Sequence, residues 1–338
     1  MKKISKLGLS ALCGSLAAVS AAKAGEMTVT GNAHLTWTEL SNSTTGQPLG
    51  MKTNLSFVGS GELDGGQTFS VTIAHTDQAT WSSANITLTT NNLGTFKLSS
   101  AEGGGGIGGY DDNMPRAVEE VWDAGVSTNI NLQKGVGSST NLQWESPRIG
   151  ATTIRVAWAP ENDGTQPTDK ASGGITNTDM ERGLDGVIRI NPSVGAVGAD
   201  LFLGYSETEM GANASATGEK PNGEHREGVA GLTLDLGPVS VGYQASAEYM
   251  PQIADGTTEF YGTSSFGAAL NINDDLSISY GEMRSIKGNQ KSGDYNPKTE
   301  MTGDSFQIAY TIGGVSWKYA DTEVVNAAYS QGTTKDAQ

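Results

Sequence analysis

The strongest constraint on this chain is an alternation that runs at two scales. Residue by residue, Phe69, Val71 and Ile73 take turns with Ser70 and Thr72, and Ile86 and Leu88 with Thr87 and Thr89. Ile154, Val156 and Trp158 alternate with Thr153, Arg155 and Ala157, and Val239, Val241 and Tyr243 with Ser240, Gly242 and Gln244. Phe306, Ile308 and Tyr310, then Val315, Trp317 and Tyr319, repeat the pattern. A period of two puts the apolar set on one face of a strand and the polar set on the other. The polar face is mostly Thr, Ser, Gly, Asn and Gln. A soluble sandwich would carry charged outer faces and Pro-rich turns. Small neutral polar groups suit the wall of a water-filled lumen, with the apolar face turned to lipid.

The second scale is that of the connections. Fifteen strand candidates lie near 27–38, 51–61, 67–77, 83–91, 95–101, 140–146, 152–160, 183–191, 198–208, 227–236, 238–248, 262–272, 276–286, 303–311 and 314–321. From the fifth onward, short gaps (147–151, 192–197, 237, 273–275, 312–313) alternate with long ones (102–139, 161–182, 209–226, 249–261, 287–302). Earlier, Asp64-Gly65-Gly66 marks a tight hairpin turn. Short turns on one side and long loops on the other define an outer-membrane barrel, with periplasmic turns and extracellular loops. Strands of mostly about nine to eleven residues match a tilted membrane-spanning strand. The fold expected is therefore all-β, a transmembrane antiparallel β-barrel. Such barrels have an even number of strands. The fifteenth candidate runs outward and leaves residues 322–338 as a polar extracellular tail, so one returning strand is missing. Residues 330–336 read as a loop cut in its middle, and the chain as C-terminally incomplete.

Residues 1–6 are basic, residues 7–21 apolar and small, and Ala22-Lys23-Ala24 forms a cleavage site before Gly25. This is a secretory signal peptide over 1–24, leaving 25–338 as the barrel; the apolar stretch is too short for a membrane anchor. The lone Cys13 falls inside the leader, so the mature chain has no disulfide framework and no cysteine-based zinc site. Four of the 21 Lys+Arg leave with the leader, against 37 Asp+Glu in the whole chain. Nucleic acid, which needs clustered basic residues, is excluded as a partner. Gly is 46 of 338 residues while charged residues are only 17%, which argues against an acidic disordered protein.

Three segments carry a family resemblance: Met27-Thr28-Val29-Thr30-Gly31, Gly59-Ser60-Gly61-Glu62-Leu63-Asp64-Gly65-Gly66-Gln67-Thr68-Phe69, and Asn92-Leu93-Gly94-Thr95-Phe96-Lys97-Leu98. In this order, from the leader to about Ala320, the chain resembles the general porins of Gram-negative bacteria, of the alphaproteobacterial type. The resemblance implies sixteen strands in the intact parent, a homotrimer in outer-membrane lipid, a third loop folded into the lumen, and passive diffusion of small hydrophilic solutes and ions. Family members end on a strand with a C-terminal Phe, which this chain does not show. A neighbour-clasping loop would fall at 78–82, which is short for that task.

The loop after the fifth strand carries Glu102, Asp111, Asp112, Glu119, Glu120 and Asp123 with a single basic residue, Arg116, within 22 residues. Its glycines allow the chain to bend sharply away from the strand. Folded inward as in the family, it would narrow the pore with negative charge and favour cations. Counter-charges on the opposing wall are assigned by alternation to Lys52, Lys97, Arg155 and Arg189. Trp37, Trp81, Trp144, Trp158, Tyr205, Tyr243, Tyr249, Tyr261, Tyr280, Tyr310, Trp317 and Tyr319 fall mostly near strand ends, where an aromatic girdle sits. Gly104 to Gly109 satisfies G-x-G-x-x-G, but no βαβ unit follows, so no dinucleotide and no other cofactor is expected. Asp111-Asp112-Asn113 offers oxygen ligands to Ca²⁺ without the spacing of an EF-hand, and a solvated turn is the simpler reading, leaving no metal expected. The histidines His34, His75 and His225 have no nucleophile signature beside them, so no enzyme is expected. The competing functions are a substrate-specific outer-membrane channel and a soluble secreted all-β adhesin.

Overall fold

In the computed structural model the described residues are 26–40, 48–63, 65–76, 83–100, 104–137, 139–162, 180–195, 197–211, 223–251, 257–289, 299–313 and 315–338. The leader, Cys13, Asp64, Trp81, Glu102 and the 78–82 segment lie outside them. Seventeen strands form one sheet. They are β1 (Glu26–Trp37), β2 (Leu49–Glu62), β3 (Thr68–Thr76), β4 (Ser83–Thr89), β5 (Thr95–Ser100), β6 (Asn141–Glu145), β7 (Thr152–Ala159), β8 (Met180–Ile190), β9 (Ser193–Val194), β10 (Val197–Met210), β11 (Glu224–Leu236), β12 (Val239–Tyr249), β13 (Thr258–Asn271), β14 (Leu276–Asn289), β15 (Thr299–Ile312), β16 (Val315–Val325) and β17 (Thr334–Ala337). All fifteen expected strands are present. β9 is a two-residue piece of the turn between β8 and β10, both of which it accompanies in one antiparallel ladder.

From β2 to β15 each long strand pairs antiparallel with the long strand before and the one after it. The C-terminal segment departs from the expected loop. β16 continues to Val325, a 3₁₀ turn follows at Ala327–Tyr329, and β17 runs back along β16 with Thr322 opposite Ala337. Ala337 in turn bridges Leu40, just past β1, and Glu39 and Gln338 exchange both backbone hydrogen bonds at 3.2 Å. The two ends of the sheet meet there, at the rim that carries the long loops. The reason 330–337 misleads as sequence is that it is mostly polar and has no large apolar residue, while β17 takes its place through backbone bonds.

Burial is inverted relative to a soluble domain. The large apolar side chains lie on the outward face, with Leu203 64% and Trp317 68% exposed, while Ser99, Asp185, Ser206, Thr208, Gln244, Ser285, Ser305 and Gln307 are buried inside. Apart from the Leu40–Ala337 bridge and the short β17, the facing edges of β1 and β16 have no strand partner among the described residues. Among the outward aromatics, Tyr205 and Tyr280 donate their hydroxyls to Glu207 and Glu282, each at 2.9 Å and each two residues nearer the long-loop rim. A ring in lipid and a hydroxyl reaching a carboxylate mark the edge of the apolar band. Tyr261, expected in the girdle, instead packs inside against Tyr329 at 5.3 Å between ring centroids, because its position in β13 falls on the lumen parity.

The short turns are fixed locally. Leu63 donates to the Gln67 carbonyl at 2.8 Å in the β2–β3 turn, and Asn273 Oδ1 accepts from the amides of Asp275 and Leu276 at 2.8 and 2.9 Å before β14. Gly94 sits at φ +84° in the β4–β5 turn, where an added Cβ would collide with the Glu145 carbonyl of β6. Gly94→Ala is accordingly expected to cost about 2 kcal/mol or more, from the left-handed backbone and the collision. A lowered unfolding temperature of the detergent-solubilised barrel checks it; an unchanged one contradicts the turn geometry.

Candidate functional site

Residues 104–137 lie within the barrel as an out-and-back loop against the inner wall of β8 to β15. It leaves β5 through a 3₁₀ turn at Gly106–Tyr110, where Ile107 N donates to Asp185 Oδ2 at 3.0 Å. The outward leg is held at mid-height by wall side chains. Gln244 Nε2 donates to the Asp111 carbonyl at 3.0 Å and Thr233 Oγ1 to that of Asn113 at 3.3 Å. Ser279 Oγ accepts from Ala117 N at 2.8 Å, and Gln307 Oε1 from the amides of Val118 and Glu119 at 2.9 and 3.1 Å. Gln307 Nε2 closes this clamp by donating to the Glu119 carbonyl at 2.6 Å.

The tip, with Val121 and Val126, packs on Met283, Met301, Val324, Ala327 and Tyr329. The return leg runs nearer the long-loop rim. Asn131 Nδ2 donates to Glu248, the amides of Lys134 and Gly135 donate to Glu227 at 2.8 and 2.7 Å, and Val136 N donates to Asp185 Oδ2 at 3.1 Å. Apolar residues on the lumen parity of the strands (Val187, Phe202, Val229, Met283, Met301, Val324) are thus the footprint of the loop. A line of lumen-side glycines makes room for it. A Cβ on Gly204 would lie 2.9 Å from Ile107, on Gly242 2.7 Å from Pro115, on Gly267 2.6 Å from the Pro115 carbonyl, and on Gly281 2.8 Å from Val121.

The loop carboxylates are not equivalent. Asp112 and Asp123 are exposed to the lumen, Asp111 and Glu119 are half-buried, and Glu120 is buried. Arg116 sits among them. It donates to the Asp112 and Met114 carbonyls at 2.6 and 3.2 Å, approaches Glu119 at 3.9 Å and lies against Glu120 Oε1. Burial, followed by the neighbouring Asp112 charge, pushes the Asp111 carboxyl up to about 6. Burial first, then the hydrogen bond shared with Glu119, pushes Glu120 upward, while that same bond pulls Glu119 downward, so the pair holds one proton on Glu120 at neutral pH. Asp123 is raised, first by burial and then by Glu119. Glu102 lies outside the described residues.

The four basic wall positions all project from the lumen parity of β2, β5, β7 and β8, but they divide into two kinds. Lys52 is exposed, and its charge acts on both Glu119 and Asp123, which places it opposite the outward leg. Lys97 is half-buried. Arg155 is paired with Glu145 at 2.7 Å, and Arg189 with Asp200. Both guanidinium groups lie over the Tyr110 ring, at 5.5 and 5.9 Å from its centroid, and Tyr110 rests on Phe202 at 5.0 Å. These two arginines therefore brace the foot of the loop, each with a wall carboxylate beside it. Glu145, Asp200, Asp185, Gln244, Gln307 and Tyr110 are the site residues that sequence reasoning passed over. The alternation places the strand residues among them on the polar face; the pairing partners come only from the cross-strand register.

No family model and no curated protein sequence matches the chain. Solved structures do match it. OprB of Pseudomonas putida, in a high-pH structure, superposes with a TM-score of 0.61 at 9% identity, covering 93% of this chain and 92% of that one. A porin refined at 1.8 Å gives 0.58 at 11% identity over 92% and 98%, and Salmonella typhi OmpF in complex with daunomycin gives 0.58 at 9% over 95% and 98%. At such identities the likeness establishes the fold: an all-β outer-membrane barrel of the kind seen in Gram-negative porins.

Proposed function

We propose that this chain is an outer-membrane porin, a water-filled channel for passive diffusion of small hydrophilic solutes and ions, weakly selective for cations. The observation that carries the reading is the inward loop, hydrogen-bonded to the inner wall, with Asp112 and Asp123 exposed and Asp111 and Glu119 half-buried. A soluble adhesin is disfavoured by the outward apolar face. On this reading residues 1–24 are a Sec-type leader, residues 25–338 the barrel, the long-loop rim is extracellular and the short turns are periplasmic. Assembly as a homotrimer and the alphaproteobacterial type are supported by the segments around Met27, Gly59 and Asn92.

Fixed negative charge in a narrow passage raises the local cation concentration. Full-length protein in a planar bilayer should give stepwise conductance, with a reversal potential in a KCl gradient on the cation side. Because Asp111 titrates near 6, it is neutral below that pH and negative above it. The cation-to-anion permeability ratio should therefore rise as pH is taken from 5 to 7.5. Sealed vesicles with no conductance would overturn the channel; a ratio that falls or stays flat over that range would overturn the role of Asp111.

A further inference from the structure

Beneath the return leg of the loop lies a cluster that the channel reading leaves unused. His225 and Glu227 on β11 and Glu248 on β12 share the lumen parity, with Glu227 and Glu248 directly opposite each other in the ladder. They are 4%, 3% and 9% exposed. One ligand atom from each lies within 4.8 Å of the other two. His225 Nε2 is 2.8 Å from Glu248 Oε1, and His225 Nδ1 has no hydrogen-bond partner among the described residues. The charged groups acting on Glu227 are His225 and Glu248. Two carboxylates and one imidazole thus share a buried place, where their charge must be balanced by protons or by a bound cation.

The surroundings orient the two carboxylates as an outer shell orients metal ligands. Glu227 accepts the amides of Lys134 and Gly135 at 2.8 and 2.7 Å, and Glu248 accepts Asn131 Nδ2. A carboxylate oxygen that accepts an N–H retains a lone pair for an ion. We propose that His225, Glu227 and Glu248 form a site for a divalent first-row transition metal, with Zn²⁺ the fitting probe, that clips the return leg of the loop to the barrel wall. One imidazole and two carboxylates without sulfur are a three-ligand set for Zn²⁺ with its fourth position open. The site depends on the fold and not on conduction, so its failure leaves the channel reading standing.

Because the ligands are covered by the loop, the ion enters as the barrel folds. The test therefore unfolds full-length protein with a chelator, refolds it in detergent with Zn²⁺, dialyses it, and measures zinc per chain and its X-ray absorption. About one zinc per chain is expected, with a spectrum of one imidazole and otherwise oxygen ligands. His34→Gln/His75→Gln should retain the metal. His225→Gln and Glu248→Gln should each weaken it at least about tenfold. If His225→Gln does not refold, the wild-type spectrum and the His34→Gln/His75→Gln variant decide the matter alone. Wild-type protein refolded without zinc, zinc kept in full by His225→Gln, or a spectrum lacking imidazole would each overturn the site; in the first case protons alone balance the charge.

Discussion

Asp185→Ala is expected to free both legs of the constriction loop at once. The Asp185 side chain, 1% exposed on β8, accepts the amide of Ile107 where the loop begins and that of Val136 where it returns. The backbone is shaped around this carboxylate: Gly106 and Gly135 have φ of +55° and +52°, and a Cβ on either would overlap it. Removing it strands two buried N–H donors, at about 1–3 kcal/mol each. The β7 and β10 ladders run through the backbone of Asp185, which the substitution leaves in place, so the barrel should still form, with a lower unfolding temperature in detergent. Single-channel conductance should rise and grow noisy as the loop leaves the wall. Asp185→Asn keeps an acceptor oxygen and should recover at least half of the lost stability. Unchanged melting and unchanged conductance in Asp185→Ala would show that the loop is held elsewhere.

The second large effect concerns charge. The triple variant Asp111→Asn/Glu119→Gln/Asp123→Asn removes three of the loop carboxylates, two of which feel the Lys52 charge. At 0.1 M salt, where screening acts over about 10 Å, the cation-to-anion permeability ratio should fall about threefold to tenfold, with the reversal potential moving to the anion side. At 1 M salt the change should shrink, since the screening length drops to about 3 Å. Glu120→Gln is the internal control. Glu120 already holds a proton at neutral pH, so its variant should leave the ratio where it was. A triple variant with wild-type selectivity would place the controlling charges outside this loop.

The barrel was legible in the sequence because each strand reports its own two faces, and because the loop lengths report which rim they occupy. All fifteen long strands follow from those signals. The acidic loop was legible too, as a run of carboxylates among glycines. What the sequence withheld is pairing. Arg155 and Arg189 read as free wall charges, yet Glu145 and Asp200 sit beside them on neighbouring strands, at register positions that no single strand encodes. Tyr261 read as a girdle residue because an aromatic near a strand end fits either side, and the one-residue difference in parity decides it. β17 was hidden for another reason: three polar residues and an alanine carry no periodic signal, and backbone bonds to β16 and a bridge to Leu40 place them.

The bare spots at Gly204, Gly242, Gly267 and Gly281 lie behind the loop, between it and the wall. Each methyl group added there would shove the loop off its bed and toward the open half of the lumen. The width of the passage is thus written partly in residues that the cargo never meets, and it could be adjusted in small steps without altering the lining it touches.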